Sequence, residues 1–469
     1  MGSFHQKSPI LLPQDLKVSI KECSVVFPSQ LETDQKKKSN VLFLTNIDQV
    51  LNFSVETLQF FSPHTKFPSH VIIEKMKTTF SKLLVPYELL AGRLKVSHEN
   101  GRLEIDCNGA GAGFVVASSD YCLDEIGDLV YPNPAFHQLV TKSLAALFKP
   151  HDQPLVILQV TLFKCGGFAM GFSTNHCAFD GLSFKQFLDN FAALADNKPL
   201  VVTPCHDRRL LTARSPPRVT FPHHELLKID TPLPSPDSSN TSVFEATPQD
   251  LDFKIFKLSG TDIATLKQKA QPLTTSKQDD GHGGKKLRIT GFNVVTALVW
   301  RCKALSFEAK DNYERQSTLL YAVDIRSRMD PPLPTSYCGN AVLTVYATAK
   351  CKELKDGPFS RVVEMVSEAA TRMTDEYARS AIDWGELYKG FPNGEFLVSS
   401  WWRLGLEDVE YPWGKPRSSC PVVNHRKDII LLFPDINESE KTNSGLNILV
   451  ALPETQMVKF QTLFKEFMA

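Results

Sequence analysis

The chain has 469 residues, of which 42% are hydrophobic and 22% charged, so it is long enough for two or more folded domains and is not a disordered polymer. Lys plus Arg and Asp plus Glu both total 52, and a net charge of zero argues against nucleic acid or an anionic membrane as partner. The ten cysteines form no C-x-x-C pair, and no apolar run approaches the about 20 residues that span a bilayer.

The N-terminus lacks the long apolar segment of a secretory signal, so a disulfide framework is not expected. Its Met-Gly start has Gln6 where a myristoylation site needs serine or threonine. We therefore predict a cytoplasmic protein with reduced cysteines, without a zinc knuckle or a dithiol redox site.

The first predicted elements are two strands and a helix. Residues 17–29 begin with strand-like alternation and end at a proline, and residues 40–49 read as a buried strand running into a loop. In residues 69–84 the apolar side chains recur at near-helical intervals, which predicts a helix with Ser69 as its N-cap.

The segment GFSTNHCAFDG, residues 171–181, lies where a predicted hairpin with a Gly166-Gly167 turn meets an amphipathic helix. It places His176 four residues before Asp180. A positioned imidazole can take a proton from an attacking hydroxyl or amine. A structural histidine, with an aspartate that only caps the helix, fits the short motif equally well.

Other chemistries fit this segment less well. No further histidine or acidic cluster lies nearby at metal-ligand spacing, and the residues around Ser173 do not form the G-x-S-x-G pattern of a serine hydrolase. Cys177 is adjacent to His176, and adjacent residues of a strand point to opposite faces. No Walker loop or dinucleotide fingerprint is present. The pattern favours a histidine base whose nucleophile is the substrate.

Residues 204–247, rich in proline and serine, are predicted to be a crossover between an N-terminal domain, 1–203, and a C-terminal domain, 248–469. Within the second domain a surface loop is expected at 274–286, followed by a helix that Thr290 caps. The later predictions are strands at 318–325, 340–349, 428–436 and 446–453, one long helix at 359–380, and a terminal helix opened by Pro453. Mixed α/β layers are expected in both halves.

Five segments resemble motifs of the BAHD acyltransferases, plant enzymes of specialised metabolism that move acyl groups from coenzyme A thioesters to alcohols or amines. HCAFDG resembles the family's H-x-x-x-D-G. The others follow the family's order along most of the chain: LLAGRL (89–94), DRRLLTARSPP (207–217), VDIRSRMDPPLPTSYCGNAV (323–342) and EYPWGKP (410–416). The chain is identified as a member of this family.

The resemblance implies a mixed α/β fold of two domains like chloramphenicol acetyltransferase, with a channel between them. His176 would deprotonate the acceptor, and Ser399 and Trp401 would contribute to the catalytic site by donating hydrogen bonds to the tetrahedral oxyanion. Asp180, which is followed by Gly181, resembles a residue that faces away from the channel and pairs with an arginine, here Arg326. Acyl-CoA would be a cosubstrate of a monomeric enzyme with no permanently bound cofactor or metal.

The EYPWG segment departs from the family's D-F-G-W-G. Trp413 and Gly414 are kept as structural residues, but Pro412 stands in place of a glycine. Proline fixes φ near −65° and excludes a positive φ. Either the local turn differs from the family's, or that glycine never needed a positive φ.

Coenzyme A is expected near Lys286, Arg288 and Thr290, because a helix N-terminus with nearby cations suits phosphate; ordinary surface lysines are the alternative. Residues 385–402 offer only Lys389 as a handle for an acidic acceptor and are rich in aromatics. We therefore expect an apolar lipid, sterol-like or aromatic alcohol as acceptor. The whole-chain resemblance favours a hydroxycinnamoyl donor over acetyl, with another aromatic or aliphatic acyl group as the alternative. The alternatives are an N-acyltransferase, a thioesterase, and a non-catalytic partner of fatty-acid elongation.

Overall fold

Strands and helices follow one another along residues 15–29, 40–130, 133–229, 250–271, 289–307, 313–422, 427–436 and 445–469, the part of the chain that the computed structural model describes. The strands are β1 (Val18–Val26), β2 (Val41–Phe43), β3 (Ser54–Phe61), β4 (Arg93–Val96), β5 (Leu103–Asp106), β6 (Ala112–Ser119), β7 (Val156–Leu162), β8 (Phe168–Asn175), β9 (Leu226–Lys228), β10 (Asp252–Leu258), β11 (Gln316–Asp324), β12 (Val342–Lys350), β13 (Gly390–Pro392), β14 (Phe396–Ser400), β15 (Ser418–Pro421), β16 (Ile429–Pro434) and β17 (Leu446–Leu452). The helices are α1 (Asn46–Gln49), α2 (Ser69–Leu83), α3 (Gly181–Ala195), α4 (Gly260–Lys269), α5 (Gly291–Leu305), α6 (Cys351–Asp356), α7 (Phe359–Arg372), α8 (Asp375–Leu387) and α9 (Glu454–Met468). The predicted mixed α/β class is confirmed.

The first large sheet has the strand order β1-β6-β7-β8-β3-β15. The predicted hairpin is present as the antiparallel pair β7–β8, and β8 also pairs with β3 along its whole length. Phe172 of β8 packs edge-on against Phe187 and Phe191 of α3, with ring centroids 5.9 and 6.3 Å apart. Strand β8 is therefore buried between two strands and a helix, which fixes the backbone that leads into His176.

One strand of this sheet comes from the second half of the chain. Strand β15 pairs antiparallel with β3, from Ser418 opposite Phe60 to Pro421 opposite Thr57. Sheet pairing therefore crosses the predicted division into 1–203 and 248–469. That division otherwise stays a prediction.

The second large sheet has the order β10-β17-β16-β14-β11-β12, in which β14 runs parallel to both of its neighbours. Helix α5 lies against it and is buried along almost its whole length. Its Trp300 is fully buried and donates a hydrogen bond from Nε1 to Ser317 Oγ at 3.0 Å. Thr290 caps this helix as predicted, since its hydroxyl accepts from the backbone N–H of Asn293.

Two predictions near the N-terminus are wrong. Residues 40–49 contain only the short strand β2, after which the chain turns into α1, because Thr45 and Asp48 form a capping box. Helix α2 is present, but Ser69 is its first helical residue. The N-cap is Pro68, which makes no side-chain hydrogen bond.

The single long helix expected at 359–380 is instead two helices, α7 and α8. The break occurs because Thr374 caps α8, accepting a hydrogen bond from the backbone N–H of Tyr377 at 3.3 Å. The last turns of α8 contribute to the wall of a cavity of about 1040 Å³.

The predicted crossover is described up to residue 229, and this part is anchored to α8. Arg214 donates from Nε to Asp383 at 2.6 Å and from Nη1 to Glu376 at 2.9 Å. Farther along, the buried ring of His223 bridges the Glu225 carboxylate and Ser380 Oγ, at 2.8 Å each. The remainder of the crossover and the predicted surface loop at 274–286 lie outside the described residues.

In the described residues, none of the ten cysteines forms a disulfide bond. In the described ranges we find no helix that is both long enough and apolar enough to cross a membrane. The cytoplasmic location and the monomeric state stay predictions.

Candidate active site

A cavity of about 1040 Å³ is lined by residues of both large sheets. His176 contributes to it from the end of β8, and Ser399 and Trp401 contribute from the end of β14. Asp180 and Gly181, at the start of α3, also reach its wall, whereas Asp180 was expected to face away from the channel. Two segments that are far apart in sequence thus meet at one cavity, the H-x-x-x-D-G segment and the SSWW segment (residues 399–402).

His176 follows the last residue of β8, and its backbone N–H donates to the carbonyl of Phe53 at 2.8 Å. The Phe53 ring lies beside the imidazole, with ring centroids 5.4 Å apart. Burial lowers the pKa of His176 below its ordinary value, and the opposing charges of Asp180 and Asp48 do not cancel this effect. At neutral pH the ring is therefore uncharged and able to accept a proton.

Asp180 does not orient the imidazole, because both of its carboxylate oxygens have other partners. Oδ1 accepts from the backbone N–H of Ser183, which caps α3, and from Arg326 Nη2, each at 3.0 Å. Oδ2 accepts from the backbone N–H of Ala341 at 3.0 Å. The ion pair expected between Asp180 and Arg326 is thus present, and it ties α3 to the end of β11.

Arg326 makes further contacts around this pair. Its Nη2 donates to Ser183 Oγ at 2.9 Å and to the Gly339 carbonyl at 3.1 Å, and its Nη1 donates to Asp324 at 2.9 Å. Arg328, which follows two residues later, donates instead to the carbonyls at the end of α7. Only Arg326 of these two arginines faces Asp180.

The two adjacent tryptophans have different surroundings. Trp401 lines the cavity, and its backbone N–H donates to the Leu432 carbonyl at 2.7 Å. Trp402 is buried in the core of the second sheet, and Gly291 at the start of α5 packs directly on its ring. Core packing is therefore the role of Trp402, whereas Trp401 is placed where a substrate can reach it.

Comparison with known proteins agrees with this geometry. The profile of the Transferase family matches residues 16–467, nearly the whole chain. The chain belongs to the BAHD acyltransferases. Acyltransferase GLAUCE of Arabidopsis thaliana is 60% identical over 99% of each chain, and the omega-hydroxypalmitate O-feruloyl transferase of the same plant is 32% identical over 93% of this chain and 91% of its own. The crystal structure of vinorine synthase has the same fold, with a TM-score of 0.70, 22% identity, and coverage of 94% of this chain and 96% of its own.

As a BAHD member, the protein is an acyl-CoA-dependent acyltransferase that takes a CoA thioester as cosubstrate. Of the residues expected near coenzyme A, Lys286 and Arg288 lie outside the described residues. The Thr290 hydroxyl is occupied by its capping interactions with the Asn293 backbone and side chain. In the part of the chain that is described, no three His, Cys, Asp or Glu side chains group together as metal ligands.

The EYPWG segment, a BAHD motif in altered form, packs inside the first sheet's core and does not line the cavity. Tyr411 stacks on Trp413 with ring centroids 5.2 Å apart, and its hydroxyl donates to Gln59 at 2.7 Å. The segment forms a tight turn in which the N–H of Gly414 donates to the Tyr411 carbonyl, and Gly414 carries a φ of +102°. The positive φ falls on the retained Gly414, so Pro412 meets no conformational conflict.

Three buried residues near His176 had no predicted role. Asp48, Arg208 and Asn340 lie in separate segments, and their side chains meet beneath the backbone of the H-x-x-x-D-G segment. Arg208 and Asn340 fall within segments that resemble BAHD motifs, which is the only sequence signal for them. Their mutual contacts are tertiary and could not be found from spacing.

Proposed function

We propose that this BAHD enzyme transfers an acyl group from coenzyme A to the hydroxyl of an apolar acceptor, with His176 as the general base and without a covalent acyl-enzyme. The observation that carries the proposal is the position of the His176 imidazole in the wall of the cavity, while both carboxylate oxygens of Asp180 are hydrogen-bonded to other groups. Burial there lowers the pKa of His176. Since Nδ1 of this ring is buried, Nε2 is the nitrogen that we assign as the base.

In the proposed reaction the acceptor hydroxyl gives its proton to His176 Nε2 as its oxygen attacks the thioester carbonyl. A new C–O bond forms, and the carbonyl oxygen takes the negative charge of a tetrahedral intermediate. When that intermediate collapses, the C–S bond breaks and the CoA thiolate takes the proton from the imidazolium. The ester and free CoA leave, and the ring is again neutral.

Ser399 and Trp401 are the side chains that we propose as hydrogen-bond donors to the oxyanion, since both line the cavity that holds His176. Such donors act most strongly where water is excluded, and removing one typically costs about 10²–10³-fold in kcat. Asp180 and Arg326 are assigned to holding the start of α3 in place.

Direct attack by an enzyme thiol is disfavoured. Cys177, the residue next to His176, is fully buried, and burial raises the pKa of its thiol to about 12. A thiol with that pKa is almost entirely protonated at neutral pH and is a poor nucleophile. The acceptor hydroxyl is therefore the proposed nucleophile.

An apolar acceptor fits the walls of the cavity, which include Leu226, Trp384, Phe391 and Leu397. Three cations also line it, Arg102, Lys389 and Arg403, and Arg102 is paired with Glu386 at 3.1 Å. A relative with 32% identity is named for transferring a feruloyl group to omega-hydroxypalmitate. We propose a hydroxycinnamoyl donor and a lipid or aromatic alcohol acceptor.

The test is release of free thiol from a panel of acyl-CoAs, with and without pooled hydroxyl acceptors, for wild type, His176→Ala and His176→Gln. Acceptor-dependent release should fall by about 10²–10⁴-fold in both variants, because general-base help has that magnitude. His137→Ala, which changes an exposed histidine outside the cavity, serves as the control and should behave as wild type.

Other outcomes point to other functions. Thiol release without acceptor would identify a thioesterase, and turnover with amines alone would identify an N-acyltransferase. Equal release from wild type and both His176 variants would remove the histidine from the mechanism. No release over a broad panel would favour a non-catalytic partner of fatty-acid elongation.

A further inference from the structure

A second buried ion pair, Asp48 with Arg208, contacts the H-x-x-x-D-G segment through the carbonyl of Ala178. Asp48 is completely buried and Arg208 is 1% exposed, with Arg208 Nε 3.3 Å from Asp48 Oδ2. A buried charge is costly unless it is paired, so each of these two side chains requires the other. Neither lines the cavity.

Asn340 joins this pair to the proposed base. Its Nδ2 donates to Asp48 Oδ1 at 2.7 Å and to the backbone carbonyl of His176 at 2.8 Å. Both neighbours are acceptors, so the amide group has only one orientation that satisfies them. Asn340 is itself fully buried and does not reach the cavity.

The backbone of residues 176–178 is consequently held from two sides. Its N–H groups donate to oxygens of Phe53 and Asn175, on the β3–β8 side. The carbonyls of residues 176 and 178 accept from Asn340 at 2.8 Å and from Arg208 Nη2 at 2.6 Å. Asn340 is the group that donates directly to the carbonyl of the histidine.

Contacts with neighbouring residues fix the positions of the Asp48 and Arg208 side chains. Asp48 Oδ2 accepts hydrogen bonds from the backbone N–H and the hydroxyl of Thr45, at 2.9 and 2.8 Å, in the capping box of α1. Arg208 Nη1 donates to the Cys338 carbonyl at 2.6 Å. A side chain at Gly339 would place its Cβ 2.1 Å from that same Nη1, so glycine is needed there for the arginine to enter.

We propose that Asn340, anchored by the Asp48–Arg208 pair, is a positioning residue that sets where the imidazole of His176 stands in the cavity. This inference rests on the proposed function of His176 as the base. Asn340 touches no substrate, and it acts by holding the histidine's own backbone. A displacement of about 1 Å at a reacting group can cost on the order of 10²-fold in rate.

The test compares Asn340→Ala with Asn447→Ala. Asn447 is a matched control because it is equally buried, donates from Nδ2 to one backbone carbonyl, Pro434, and lines no part of the cavity. With feruloyl-CoA and omega-hydroxypalmitate as probes, Asn340→Ala should lose about 10²-fold in kcat with both KM values unchanged. Asn447→Ala should keep the wild-type kcat.

A second readout does not depend on turnover. In protein labelled with ¹³C-histidine, the His176 ring signal, identified by its loss in His176→Ala, should shift in Asn340→Ala and stay in place in Asn447→Ala. If Asn340→Ala does not fold, Asn340→Ser takes its place, because a hydroxyl donates to one of the two acceptors and should give a smaller effect in the same direction.

An unmoved His176 signal with wild-type kcat in the Asn340 variant would overturn the proposal, as would equal effects of the two asparagine variants or a rise in KM with kcat intact. The activity of His176→Ala distinguishes a failure of the proposed base from a failure of the proposed positioning role. If that variant turns over normally, the proposed base is wrong; if it is inactive while Asn340→Ala is fully active, only the positioning role is wrong.

Discussion

His176 is kept neutral by its surroundings rather than by a partner. The fixed backbone brings the ring into a partly buried position, and desolvation lowers its pKa because it disfavours the charged imidazolium. The carboxylate oxygens of Asp180 accept hydrogen bonds from Ser183, Arg326 and Ala341 instead. A base that operates in this way needs no tightly bound acid to orient it.

This predicts the pH dependence of the reaction. The ordinary pKa of histidine is 6.5, and the pKa of His176 is lowered from that value. The ring therefore stays deprotonated when the pH falls to 6.5, and activity should be lost only at lower pH. The acid limb of kcat/KM, which reports the free enzyme, should therefore have its midpoint below 6.5. A midpoint above that pH would contradict the assignment of a desolvated histidine as the base.

At the scale of elements, the sequence predicted most long segments and missed where two of them begin. The alternating and helical patterns of β1, β7, β8, α3 and α5 are strong and local, and these elements are confirmed. The break between α7 and α8 depends on the cap at Thr374, which the helical pattern on either side conceals. Helix α1 is a single turn that its Thr45–Asp48 capping box stabilises.

In the candidate site, too, some contacts could be predicted from the sequence and others could not. The Asp180–Arg326 pair could be expected because both residues lie in segments that resemble family motifs. Asn340 and Asp48 are 292 positions apart, and no periodicity or spacing connects them. Contacts of that kind follow only from the folded arrangement of β3, β8 and the loop before β12.

The turn at Pro412 gives a prediction for an element. Pro412→Gly should lower the free energy of unfolding by about 0.4–1 kcal/mol, since proline restricts the unfolded chain and the native turn already accommodates it. Gly414→Ala should cost more, about 1–3 kcal/mol, because a φ of +102° strains a residue with a Cβ.

Urea unfolding of the two variants beside wild type provides the measurement, with acyl transfer as a check on the site. A larger loss from Pro412→Gly than from Gly414→Ala would mean that the turn is not the one described. Since the segment lies away from the cavity, neither change should alter KM.

At the scale of the whole molecule, the two sheets share more than a cavity. The segment from Leu406 to Trp413 completes the core of the first sheet, and β15 forms the edge of that sheet beyond β3. Tyr411 and Gln59, which are 352 positions apart, are directly hydrogen-bonded. Residues from the second half of the chain thus complete the core and the edge of the sheet that the first half forms.

A fragment of residues 1–203 is therefore expected not to form a well-packed domain by itself. It lacks β15 and leaves apolar surface around Phe61 and Phe168, which pack on Trp413, exposed. The measurement is near-ultraviolet circular dichroism and solubility of the fragment, alone and co-expressed with residues 204–469. A soluble fragment with cooperative unfolding in isolation would contradict this expectation, and rescue by co-expression is the expected result.

The late arrival of β15 also bears on how the protein is made. During synthesis β3 can pair with β8 early, but its other edge stays open until the ribosome has added residue 421. Between the end of β8 at residue 175 and the end of β15 at residue 421 the ribosome adds 246 residues, which takes roughly 12 to 50 s at about 5–20 residues per second. An open strand edge is a template for pairing with other chains. The nascent enzyme therefore passes through a period in which chaperones and translation speed, rather than its final stability, decide how much of it escapes aggregation.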